Sequence, residues 1–216
     1  MQSYSSRTSR GEYIDTFLDK LFTSKTNGVY IELGANNGLE QSNTAFFEFH
    51  RGWTGVLIEP SIKAYTECVK NRPHSICVHA ACVSNEYSEP FINGDFNGGL
   101  MSSVNGTRTE SNQLHACKAI TLEKVLDEAN VSSIDLLSLD VEGYEYEVLR
   151  GLNLIKYRPR YMIIEIYVKD YETIVSFLKM NHYKKLGNVT NFNLQDNPQW
   201  DGTHNDYLFV DSLAAK

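Results

Sequence analysis

Short apolar runs recur along the chain, separated by helical patterns, and this alternation constrains the fold more than any other feature. The runs cover 29–33, 56–59, 76–83, 134–139 and 161–168. Apolar runs of that length, bounded by Gly, Pro and Asn, read as buried strands. Pro60 closes the second of them. In the segment 12–22, Tyr13, Ile14, Phe17, Leu18, Leu21 and Phe22 follow helical spacing, and Asn27-Gly28 supplies the turn that follows. Further helices are expected over 42–50, with Ser42 as N-cap, and over 62–71, 144–149 and 170–180. A last strand is expected at 207–210. Strands alternating with helices imply stacked β-α units and a mostly parallel sheet.

Composition narrows the partners. The chain has 216 residues, which suits one domain. Residues 1–10 read as a flexible tail and 11–216 as a single domain. Lys plus Arg number 20 against 27 Asp plus Glu, a net charge of −7. That sign opposes the many phosphate contacts of a nucleic-acid binder, so no nucleic-acid partner is expected. No apolar run has the length of a membrane span, and MQSYSSRTSRGEY lacks the apolar stretch of a signal peptide. Cys68, Cys77, Cys82 and Cys117 form no C-x-x-C pair and read as reduced thiols, which points to the cytoplasm.

Three segments carry candidate chemistry, each at the carboxyl end of an expected strand. There, in open α/β sheets, ligands bind. The first is Glu32-Leu33-Gly34-Ala35-Asn36-Asn37-Gly38. Gly34 and Gly38 let the chain turn sharply and let a ligand approach the backbone. Asn36 stands where a dinucleotide G-x-G-x-x-G motif has its second glycine, and no G-K-[ST] follows. The second is Glu59, which is either an acceptor for ribose hydroxyls or a surface acid ending its strand. The third is Asp140-Val141-Glu142-Gly143-Tyr144-Glu145. Asp140 leaves the run LLSL and is expected to be partly buried, with a cation, a metal or several donors around it. Glu142 is expected to face the same cleft, whereas Glu145 and Glu147 read as acids favoured at a helix N-terminus. Glu165 interrupts Met162-Ile163-Ile164-Glu165-Ile166, where it either joins Asp140 on a metal or pairs with an Arg. His204, placed on a loop before the last strand, is either a base or a solvated side chain. The polar stretch 86–118 reads as a lid, a binding loop or a hairpin, or else as a plain surface excursion.

The segments SRGEYIDTFLDKLF, NGVYIELGANNGLEQSNTAFFE, GWTGVLIEP, KNRP, ITLEKVL, IDLLSLDVEGYEYEVLRGL and MIIEI occur in that order. Together the chain resembles FkbM-type S-adenosylmethionine-dependent methyltransferases. The resemblance implies a Rossmann-like class I methyltransferase fold, with a seven-stranded, mostly parallel sheet whose last strand is antiparallel. It implies that Glu32, Gly34, Ala35, Asn36 and Gly38 cradle the methionine part of the cofactor, with Ser42 beside them. Glu59 would then hold the ribose hydroxyls, Ala81 and Cys82 would flank the adenine, and Asp140 would lie near the cofactor amine and the transferred methyl. Ser138 stands where the family often has Lys.

Such families mostly methylate hydroxyls of sugars and related small molecules, so the expected reaction is O-methylation of a sugar or glycan-type acceptor. Tyr144, Tyr146, Asn97 and Asn105 suit stacking and hydrogen bonding to a sugar. A hydroxyl acceptor needs its proton removed, for which His204, Asp140 or Glu142 are candidates. A divalent metal, Mg or Mn, on Asp140 and Glu165 is the other route. An NAD-dependent oxidoreductase and a non-catalytic binding module of the same fold are the competing readings. Asn36 in place of Gly speaks against the first, and the set Glu32, Gly34, Glu59 and Asp140 against the second.

Overall fold

The computed structural model describes residues 1–97, 103–104, 114–190, 195 and 203–214. In chain order the elements are α1 (Ile14–Leu21), β1 (Val29–Leu33), α2 (Ala45–Arg51), β2 (Thr54–Glu59), α3 (Ile62–Asn71), β3 (Ile76–His79) and β4 (Ala81–Val83). They continue with β5 (Phe91–Gly94), β6 (His115–Thr121), α4 (Leu122–Glu128), β7 (Leu136–Leu139) and α5 (Glu145–Arg150). The last are β8 (Tyr161–Tyr167), α6 (Tyr171–Met180), β9 (Tyr183–Asn188) and β10 (His204–Asp211).

Seven strands form one sheet in the order β3-β2-β1-β7-β8-β10-β9. The pairs β1·β2, β2·β3, β1·β7 and β7·β8 are parallel, and β10 runs antiparallel to both β8 and β9. The chain builds outward from β1 through β2 to β3, then returns to β1's other side with β7. The crevice between β1 and β7 is therefore the switch point where open α/β sheets take ligands.

Strand side chains alternate between two cores, because successive residues point to opposite faces. Ile31, Leu33, Val56, Ile58, Leu137, Leu139 and Ile164 pack with Val125, Leu149, Ile174 and Leu178 from α4, α5 and α6. Tyr30, Leu57, Leu136, Ile163 and Leu208 face the other way, onto Ile14, Leu18, Phe47 and Cys68 from α1, α2 and α3. This parity decides where the acids go. Glu32, Ser138 and Glu165 share the parity of Tyr30, Leu136 and Ile163, so their side chains lie on the α1–α3 side.

Several expectations are corrected. The run 76–83 is two strands, not one: β3 edges the main sheet, while β4 pairs with β6 in a separate sheet ordered β4-β6-β5. A continuous apolar run hides the change of partner, which occurs at the fully buried Ala80. The β5·β6 pair is antiparallel, so the arms of the polar stretch form a hairpin. Helix α2 starts at Ala45 rather than Ser42, yet Ser42 Oγ still accepts from Ala45 N at 3.0 Å. β10 begins at His204, so that histidine lies on a strand and not on a loop. β9 escaped the sequence reading because its residues YKKLGN are largely exposed and carry lysines, as edge strands do. The segment expected as a tail makes defined contacts: Ser3 Oγ and the Tyr4 and Ser5 amides donate to Asp15.

Candidate functional site

A cavity of about 250 Å³ opens at the carboxyl ends of β1, β2, β7 and β8. Gly34, Ala35, Asn36, Ser42, Glu59, Ala81 and Cys82 line one part of it. Asp140, Glu142, Tyr144, Glu165 and His204 line the other, together with Phe96 and Val104. The sequence-derived residues thus converge, except for Glu32 and Gly38, which stand behind the cavity wall.

The loop 34–38 owes its course to left-handed backbone at three positions. Gly34, Asn36 and Gly38 have φ of 74°, 46° and 80°. A Cβ on Gly34 would meet the Asp140 carbonyl oxygen at 1.8 Å, so the approach of the β1 and β7 ends requires glycine there. Asn36 supplies the conformation that glycine supplies elsewhere, since Asn tolerates the left-handed region. Glu59 joins this loop to β2. Its Oε2 accepts from Asn36 N at 2.9 Å and its Oε1 from Ser61 N at 2.8 Å. Burial pushes the Glu59 carboxyl up to about 7, against the pull of those two amides.

Behind the loop lies a polar network. Glu32 accepts from Ser42 Oγ (2.8 Å), Asn43 N (2.8 Å) and Thr44 Oγ1 (2.6 Å). Arg72, fully buried, donates from Nε to Glu48 Oε2 at 2.7 Å, from Nη1 to the Gly38 carbonyl at 2.8 Å and from Nη2 to Thr44 Oγ1 at 3.0 Å. Glu32 therefore holds the 42–44 turn and stands behind the cavity lining. Period-2 parity on β1 gives the reason: Glu32 points to the α2 side and Leu33 to the opposite one. Arg72 sits in the segment KNRP, where only its resistance to burial marks it, so sequence reasoning missed it.

The far end of the cavity is acidic. Leu139 of β7 pairs with Ile164 of β8, which sets Asp140 beside Glu165. Asp206 on β10 pairs with Glu165. Asp140 opens to the cavity rather than being partly buried, while Glu165 is only 7% exposed. Glu165 Oε1 lies 3.3 Å from His204 Nε2, so the partner in place of an arginine is a histidine. The His204 ring packs on Tyr167 with centroids 5.4 Å apart, and Thr203 Oγ1 lies 3.1 Å from Nδ1. Tyr167 OH donates to Glu142 Oε2 at 2.7 Å, and Glu142 holds a left-handed φ of 58°. Glu145, expected as a plain helix-start acid, is buried and accepts from Val141 N and Gly143 N, both at 3.0 Å. It shapes the Asp140–Tyr144 turn from within. Although Asp140 opens to the cavity, desolvation by the surrounding protein and the neighbouring acids Glu142, Asp206 and Glu145 hold its carboxyl well above the usual range. Burial raises Glu145 to about 7 and Asp206 to about 6. Glu165 is raised too, by burial first and then by Asp140.

Of the residues expected to meet a sugar, Tyr144 lines the cavity. Tyr146 packs instead on Phe177, and Asn97 donates to Asp95 Oδ1 at 2.6 Å. Asn105 lies outside the described residues.

The family model described as the methyltransferase FkbM domain matches residues 32–188, the stretch that holds nearly all of this site. The chain belongs to the FkbM methyltransferase family. A comparison with curated proteins returned no match. Among solved structures, this FkbM domain is similar to Aeropyrum pernix fibrillarin in complex with S-adenosyl-L-methionine. The TM-score is 0.52 at 14% identity, over 86% of this chain and 67% of that one. It is also similar to M. capricolum TrmK in complex with S-adenosyl-homocysteine, with TM-score 0.51, 9% identity and coverage of 91% and 68%. A precorrin-6y C5,15-methyltransferase from Geobacter metallireducens gives TM-score 0.50 at 7% identity, covering 95% and 93%. At such identities the likeness concerns the fold: a Rossmann-like class I methyltransferase. Within it, the FkbM domain described here sets its Glu59 and Asp140 ends on either side of the β1 loop. No helix among the described residues is long and apolar enough to cross a membrane.

Proposed function

We propose that this FkbM methyltransferase uses S-adenosylmethionine to methylate a hydroxyl of a sugar or glycan-type small molecule, with residues 11–216 acting as one domain in the cytoplasm. The observation that carries the reading is the continuity of one cavity from Glu59, past Gly34, to the His204–Glu165 pair. The residues present fit the cofactor: a glycine cradle without room for a Cβ at Gly34, and a buried carboxylate at the end of β2. The sulfonium supplies an activated methyl group. In this reading Gly34, Ala35, Asn36 and Ser42 frame its amino-acid end, Glu59 accepts from the ribose hydroxyls, and Ala81 and Cys82 flank the adenine. Asp140, at the junction of both halves, faces the transferred methyl.

Methyl transfer needs acceptor oxygen, carbon and sulfur in line, so most of the rate comes from positioning. Tyr144 and Phe96 give the acceptor end aromatic walls, and Asp140 and Glu142 give it acceptors for sugar hydroxyls. His204 takes the acceptor proton at the ring nitrogen turned away from Glu165, which lies 3.3 Å from Nε2, holds the ring and stabilises its charged form. A general base of this kind contributes about 10²–10⁴-fold. A divalent cation, Mg or Mn, on Asp140 and Glu165 would serve the same end by polarising the hydroxyl.

The test is turnover of S-adenosylmethionine with a panel of mono- and oligosaccharides, read by product mass. The expected result is one methyl added to oxygen, with His204→Ala lowering kcat about a hundredfold and leaving the affinity for S-adenosylhomocysteine within twofold. Methylation unaffected by His204→Ala would remove the base, and methylation at nitrogen or carbon alone would remove the O-methyl reading.

A further inference from the structure

We propose that Asp140, Glu145 and Glu165 form a three-carboxylate site for a hard divalent cation, Mg²⁺ or Mn²⁺, at the acceptor end of the cavity. The inference rests on the methyltransferase reading for its purpose, but its geometry stands independently. One carboxylate oxygen from each of the three residues lies within 4.8 Å of the others. Asp140 follows β7 and Glu145 opens α5 in one turn, and the pairing of β7 with β8 brings Glu165 from the interior of β8 to join them.

Proximity of acids alone indicates no ligand; the state of Glu165 does. Its side chain is more than nine-tenths buried, it lines the cavity, and Oε2 has no hydrogen-bond partner among the described residues. Buried polar atoms are almost always paired, and an orphaned carboxylate oxygen aimed into a cavity asks for a positive ligand. The arginine that the sequence allowed for is not at Glu165. Among the described residues, no Lys or Arg forms an ion pair with Asp140, Glu145 or Glu165, and His204 pairs with Glu165.

Glu145 is the new member of the set. The Val141 and Gly143 amides both bond its Oε1, which fixes the carboxylate against the turn that carries Asp140. A ligand held by two backbone amides is placed before any ion arrives. The donor set is all oxygen, with no thiolate, which favours Mg²⁺ or Mn²⁺ over Zn²⁺. Mg²⁺ takes few carboxylates and completes its shell with water or substrate oxygens. That points to an acceptor with two adjacent hydroxyls, such as the vicinal diol of a sugar, as the molecule that shares the cation.

The experiment is titration of the full chain with MnCl₂, read by calorimetry and by loss of the free Mn²⁺ electron-spin signal, with and without saturating S-adenosylhomocysteine. The expected result is one saturable site, weakened at least tenfold in both Glu145→Gln and Glu165→Gln, each checked for folding by its melting curve. If Glu165→Gln does not fold, Glu145→Gln alone decides. No saturable Mn²⁺ binding in either condition, or binding unchanged in the folded variants, overturns the proposal. S-adenosylhomocysteine binding without Mn²⁺ binding would remove the cation and leave the methyltransferase reading intact. Mn²⁺ binding without S-adenosylhomocysteine binding would do the reverse.

Discussion

Asn36 holds a left-handed φ of 46° in the middle of the cofactor-side loop. Read as a letter, it breaks a glycine pattern; read as a conformation, it fills it, because its short amide side chain tolerates that region. Glu59 shows a second property that the letters hide. Its position at a strand end was legible, but its two amide bonds and its burial were not. They leave a carboxyl near 7 that titrates within the working range. In the proposed placement ribose hydroxyls donate to the ionised form, so ligand binding would expel the proton that Glu59 carries below that pH. Affinity for S-adenosylhomocysteine should therefore be constant above about pH 8 and weaken as pH falls through about 7, approaching tenfold per pH unit. Calorimetry at pH 6, 7 and 8 checks this, and Glu59→Gln should flatten the profile. A profile equally steep in that variant would place the titrating group elsewhere. At this scale the sequence also left the partners of Glu32 and Glu145 unread: the first holds the 42–44 turn, and the second, an acid at a helix start as expected, is buried against the turn that carries Asp140.

Helix α3 and the turn after it tie the cofactor loop to the core through Arg72. Its guanidinium spans Glu48 on α2, the Gly38 carbonyl and Thr44, while Asn71 donates to the Asn37 carbonyl at 2.9 Å. Replacing Arg72 by Met would leave the buried Glu48 carboxylate without a cation, with the Tyr30 and Ser75 hydroxyls and the His74 amide as its donors. Breaking such a pair costs about 3–5 kcal/mol, so the melting temperature should fall by about 10 °C. Freed from its anchor, the loop should bind S-adenosylhomocysteine at least tenfold more weakly. Thermal unfolding and calorimetry of Arg72→Met read both effects, and an unchanged affinity in a folded variant would show that the loop holds itself. Elements with strong periodicity were legible almost to the residue: β1 at 29–33, and α3 over 62–71. The failures share a cause. The run 76–83 carries no mark of where a strand changes sheets, and β9 is an exposed edge whose apolar signal is diluted by Lys184 and Lys185. Those pairings are set by distant partners, which a single-sequence pattern does not contain.

Across the whole molecule, the order of strands explains why separate motifs meet. Because β1 sits between β2 and β7, the chain's acids at 59 and 140 arrive on either side of one glycine-rich loop. The small sheet β4-β6-β5 then closes one wall with Phe96 and Val104. This is why an ordered set of individually weak segments identified the family, and why the acceptor end, built partly from the polar stretch, was the least legible. Four acids, Asp140, Glu142, Glu165 and Asp206, also gather there. The measurement that bears most directly on the whole is calorimetric titration of the purified protein with S-adenosylhomocysteine, beside Glu59→Ala. Saturable one-to-one binding, weakened roughly ten- to a hundredfold by loss of the charged hydrogen bonds to the ribose, is the expected result. No binding by a folded wild-type protein, or binding indifferent to Glu59→Ala, would contradict the placement of the cofactor between β1, β2 and β7.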